Sequence, residues 1–116
     1  MRIESTPPHD FSLTLDVEDY FEDEYEPMEV YRHGYARPLR LQERNVLSVV
    51  RWNESIEEPA FDVEFPHHDL DSSEEEMARD SLRRILGADI DLEAFHDAVS
   101  GDEVVGPLVE KYWGFK

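Results

Sequence analysis

Tyr35-Ala36-Arg37-Pro38-Leu39-Arg40-Leu41, Val46-Leu47-Ser48-Val49-Val50-Arg51-Trp52 and Phe61-Asp62-Val63-Glu64-Phe65 follow one another within 31 positions, separated only by short polar turns. The middle run is rich in β-branched residues and nearly continuously apolar, the composition of a central strand. The third alternates Phe61, Val63 and Phe65 with Asp62 and Glu64, so one face is apolar and the other polar. The first carries Pro38, which has no N–H to donate to a ladder, and reads as an edge strand. Asn45 and its neighbours, and then Asn53 to Pro59, supply turns too short for a crossover, so the three strands form an antiparallel meander.

Downstream the period changes from two to nearly four. Ser73-Glu74-Glu75-Glu76 has the capping-box form, and Ala78, Leu82, Ile85 and Leu86 fall on one helical face. Arg83 and Arg84 suit the last turn, and Gly87 the C-cap. Asp91 opens a second short helix with Leu92, Phe95 and Val99, closed by Gly101. Asp102 opens a third, with Val104, Val105, Leu108, Val109 and Tyr112, bent or split at Pro107 and ended at Gly114.

Upstream, Pro7-Pro8 forbids helix in an extended lead-in. Phe11, Leu13, Leu15 and Val17 alternate with Ser12, Thr14 and Asp16, which predicts a half-buried strand over 11–17. Residues 16–29 hold eight acids among 14 positions, with a short helix or ordered connection expected around Phe21, Tyr25 and Met28 up to Pro27. The fold class is therefore α+β: an antiparallel sheet of about four or five strands, followed by helices. Residues 1–87 hold the sheet and its packed helix; residues 88–116 are short helices leading onward, within one compact domain.

The surface is acidic. Asp and Glu number 29 against 11 Lys and Arg, a net charge of −18, and only Lys111 and Lys116 are lysines. Such charge repels nucleic acid and anionic membrane in dilute buffer. At about 1 M salt, however, the Debye length falls to ~3 Å, and acids spread over every segment read as a salt-adapted, halophilic surface. With no cysteine, disulfides and thiolate metal sites are excluded. There is no apolar run of the ~20 residues a membrane helix needs and no signal-peptide core, so a cytoplasmic protein with no membrane partner is expected.

No complete catalytic constellation stands out. In His67-His68-Asp69 adjacent side chains point to opposite sides of an extended chain, so no metal is expected there. His96 reads as an interface or surface histidine. No Gly-x-Ser-x-Gly elbow or phosphate-binding glycine loop occurs, and no cofactor is implied.

Several motifs, in order, resemble the amino-terminal domain of helix-hairpin-helix DNA glycosylases of the DNA-3-methyladenine glycosylase II type. Pro7-Pro8-His9-Asp10-Phe11-Ser12-Leu13-Thr14-Leu15 is similar to the family's first strand, and Gly34-Tyr35-Ala36-Arg37-Pro38-Leu39 to its next strand, with its Tyr-Ala-Arg. Leu82 to Gly87 with Asp89-Ile90-Asp91-Leu92 resembles the helix and step after the sheet. Asp102 to Leu108 with Trp113-Gly114-Phe115-Lys116 resembles the exit into the catalytic domain. Residues 18–30 depart from the family pattern.

The resemblance implies an antiparallel sheet with helices on one side, similar to half of a TATA-binding protein. It places the helix-hairpin-helix and the catalytic Asp beyond Lys116, so no catalytic residue is expected in this chain. The partner it implies is that helical catalytic domain, with damaged double-stranded DNA reached only through the parent enzyme. Glycosylases flip the damaged nucleotide into a pocket, and this domain lends an aromatic to it. The aligned position here is Val17, so Tyr20 and Phe21 are the candidates for pocket lining, against the competing expectation that both rings pack in the core. Tyr112, Trp113 and Phe115 are the candidates for interdomain contact. Two alternatives compete: a stand-alone acidic protein-interaction module of a halophile, and direct DNA binding through sheet residues Arg37, Arg40 and Arg51.

Overall fold

The computed structural model describes residues 1–20 and 29–116, with the side chains of 18–20 and 29 left aside. Five strands form one antiparallel sheet, accompanied by four helices among the described residues: β1 (Arg2–Glu4), α1 (Phe11–Tyr20), β2 (Glu29–Tyr31), β3 (Gly34–Arg40), β4 (Asn45–Trp52), β5 (Ala60–Glu64), α2 (Ser72–Leu86), α3 (Leu92–Val99) and α4 (Val105–Lys111). The spatial order is β1-β5-β4-β3-β2. The expected meander is the centre of this sheet, flanked by two strands of three residues each.

Register explains the core. Tyr35 lies opposite Val50, Val50 opposite Val63, Trp52 opposite Phe61, and Phe61 opposite Ile3. All six are buried, so one face of the sheet is a continuous apolar layer. Phe11 and Leu15 of α1 and Ala78, Leu82 and Leu86 of α2 belong to the same cluster, so both helices cover that one face. Each fully buried large side chain of this layer contributes about 1.5–3 kcal/mol.

The strand expected over 11–17 is instead α1. Asp10 explains the change: its Oδ1 accepts from the Ser12 N–H at 3.1 Å and from the Ser12 hydroxyl, which starts a helix rather than a strand. Among the described side chains of this helix only Phe11 and Leu15, four apart, are buried, while Val17 faces outward. Phe11 packs edge-on against Phe61 at 4.9 Å and against Tyr35 at 5.6 Å. A strand would also have turned Leu13 and Val17 inward, onto a core already filled by α1 and α2.

Three smaller expectations change too. The lead-in contains a strand, β1, through the single inward residue Ile3. The N-cap of α2 is Asp71, not Ser73: Asp71 Oδ1 accepts from the Glu74 N–H at 2.8 Å, and Glu74 returns the bond at 3.3 Å. Ile85 is exposed, leaving Ala78, Leu82 and Leu86 as the buried stripe of α2. Gly87 caps that helix in the left-handed region (φ 67°). Pro107 falls in the first turn of α4, where a missing N–H costs little, so it does not split the helix. β3 is not an edge strand but lies between β4 and β2, the described residues of β2 pairing with Gly34, Tyr35 and Ala36.

Candidate functional site

α3 starts at its expected cap, where Asp91 accepts from the Ala94 N–H at 3.1 Å, but it ends at Ser100 rather than Gly101. The N-cap of α4 is Val104 and not Asp102, whose Oδ1 instead accepts from the Val104 and Val105 N–H groups at 2.8 Å each in the turn just before the helix. These bonds, that to Val105 foremost, hold the Asp102 carboxyl below its ordinary pKa. The helices meet across Gly106, whose hydrogen faces the Ser100 carbonyl; a Cβ there would lie 2.8 Å from that oxygen.

Their outer side forms an apolar groove of about 190 Å³ lined by Leu92, Phe95, Leu108, Val109, Tyr112, Trp113, Gly114 and Phe115. The three residues expected at a domain contact, Tyr112, Trp113 and Phe115, are brought together in it. Phe95 is 50% exposed, Leu108 51%, Tyr112 46% and Phe115 41%, unusual for side chains of this size. Covering the rest of each is worth about 1 kcal/mol, half the value of full burial. Trp113 is held by the edge of His96 at 4.7 Å, so His96 shapes the groove. The sequence points to the aromatics near the exit but places Phe95 and Leu108 only as apolar positions on two short helices, with nothing to assign them to the site.

A second cluster was not anticipated. His9 is fully buried between Phe11 and Phe61, with ring centroids at 5.9 and 5.3 Å. Its Nδ1 lies 2.8 Å from Ser5 Oγ, which also accepts from Lys116 Nζ at 3.2 Å. Lys116 donates further to the Thr6 carbonyl at 2.7 Å. Burial, and secondarily the Lys116 charge, push His9 down to about 4; burial pushes Lys116 down to about 8. Ser5 and His9 are both buried, so this pair is not presented to solvent. The cluster fastens the chain end to the first segment, helped by the Asp10 N–H donating to the Gly114 carbonyl at 2.8 Å.

The remaining candidates separate. Phe21 and the side chain of Tyr20 lie outside the described residues. Arg37 is on the helix-covered face of the sheet, with its guanidinium 5.6 Å from the Tyr35 ring centre, while Arg40 and Arg51 are exposed on the opposite face. Arg51 pairs there with Glu64 at 3.2 Å. The three arginines therefore do not form one basic surface. His67 and His68 sit in a loop, and no group of three His, Cys, Asp or Glu able to hold a metal occurs among the described residues. No described helix is long and apolar enough to cross a membrane.

No family model, curated protein or solved structure matches the chain.

Proposed function

We propose that this chain is the non-catalytic amino-terminal domain of a base-excision DNA glycosylase for alkylated bases, at work in the cytoplasm of a salt-adapted cell. The observation that carries this reading is the groove at the exit motif: Tyr112, Trp113 and Phe115 gather on an apolar surface rather than in the core. In a two-domain glycosylase, that surface takes the helical catalytic domain. The five-stranded antiparallel sheet with α1 and α2 on one face supports the reading, whereas the segment matched to the family's first strand runs into the helix α1 and does not.

In this role the domain buttresses rather than reacts. Cleavage of the N-glycosidic bond needs a carboxylate placed beside a flipped nucleotide, and that carboxylate belongs to the partner domain. The discriminating experiment is to read the coding frame beyond Lys116. A frame that continues into a helix-hairpin-helix and a Gly/Pro-rich loop ending in Asp is expected. A stop followed by unrelated sequence would refute the glycosylase assignment and favour the acidic interaction module.

A further inference from the structure

From the geometry and charge of the α3–α4 face we infer that its occupant is an amphipathic helix whose apolar ridge is flanked by lysine or arginine. This rests on reading the groove as a docking surface, not on the glycosylase assignment. Val104, Leu108 and Tyr112 are spaced four apart and all exposed, Leu108 within α4 and the other two at its N- and C-caps, so together they make an apolar stripe. Phe95 of α3 and Phe115 continue that surface across the groove. A stripe about two turns long beside a groove fits the side-chain ridge of a third helix.

Charge selects among occupants. From Asp91 to Tyr112 the chain carries Asp91, Glu93, Asp97, Asp102, Glu103 and Glu110, all exposed, against the single base Lys111. A second copy would bring these acids against their own equivalents, which is repulsive. Lys111 Nζ lies 5.3 Å from the Tyr112 ring centre, showing that a cation is accommodated at the aromatic rim. A partner with basic flanks meets the acids and can place further cations against the exposed rings.

The test uses the intact chain and two synthetic helical peptides with the same leucine ridge, one flanked by lysines and one by glutamates. Binding is read by fluorescence anisotropy of the labelled peptide. The lysine peptide is expected to bind at least roughly tenfold more tightly than the glutamate peptide at 0.1 M salt, with the ratio shrinking towards 1 M. Leu108→Asp and Tyr112→Ala should each weaken the lysine peptide by roughly tenfold or more, while Leu47→Asp, at an exposed position on the sheet face opposite α1 and α2, leaves it unchanged. Circular dichroism establishes that each variant is folded. Absence of lysine-peptide binding, equal binding of both peptides, or binding indifferent to Leu108→Asp would overturn the inference. So would a dimer of the unmodified chain that Leu108→Asp dissolves. Each of these leaves the glycosylase reading standing, because that reading is decided by the coding frame.

Discussion

Replacing His9 with Gln removes one titrating group from the core and should make the protein less sensitive to acid. The imidazole is fully buried and stays neutral in the folded state, with its pKa pushed down to about 4 from 6.5. Between these values the unfolded chain binds a proton that the folded chain refuses, so stability falls as pH falls. The contribution is fully present above pH 6.5, is lost progressively below it, and levels off below pH 4. A displacement of this size corresponds to about 3 kcal/mol in full, of which about 2 kcal/mol is lost between pH 7 and pH 4.5. Glutamine keeps an amide to bond Ser5 but does not titrate in this range.

Because the chain carries 29 acids, its own acid response is composite, and the difference between variant and unmodified protein is the informative quantity. Urea unfolding at pH 7 and pH 4.5 supplies it. With a slope of roughly 2 kcal/mol per molar, the gap between the two midpoints should shift by about 1 M in favour of His9→Gln on acidification. Midpoints that fall in parallel, with a constant gap, would refute the claim that a neutral buried imidazole limits acid stability.

Other substitutions probe the frame. Leu82→Ala, at a fully buried position of α2, should cost about 2–5 kcal/mol in urea unfolding at pH 7. Asp71→Ala removes the acceptor of the α2 capping box and should cost about 0.5–2 kcal/mol; a loss below the error of the fit would contradict Asp71 as the cap. Gly34→Ala would place a Cβ 1.9 Å from the Val50 carbonyl oxygen, so poor expression or a large loss of thermal stability is expected. Little change there would contradict the β3–β4 register.

What the sequence disclosed follows from how redundant each signal is. β4 was legible because seven consecutive residues favour a strand, and α2 because four apolar positions, a basic last turn and Gly87 agree. The cap of α2 was misplaced by two residues because the Ser/Asp-x-x-Glu spacing occurs three times, at Asp71–Glu74, Ser72–Glu75 and Ser73–Glu76. Phe11 to Val17 was misread because all four apolar residues satisfy period two, whereas the helical spacing splits them into two pairs, Phe11 with Leu15 and Leu13 with Val17. Asp10 was the deciding sign of a helix start. β1 has one inward residue, too little for any pattern. The groove was partly legible, through Tyr112, Trp113 and Phe115, because aromatics at a chain exit lack an obvious core. The burial of His9 was not, since it depends on Phe61, 52 positions away.

The account holds that this domain supplies a surface, not chemistry. The most direct measurement is release of 3-methyladenine from alkylated duplex DNA by the purified chain. A parallel sample carries the same chain fused to the helix-hairpin-helix domain of a DNA-3-methyladenine glycosylase II. No release by the chain alone, and release by the fusion, is the expected result. Release of the base by the chain alone would contradict the account.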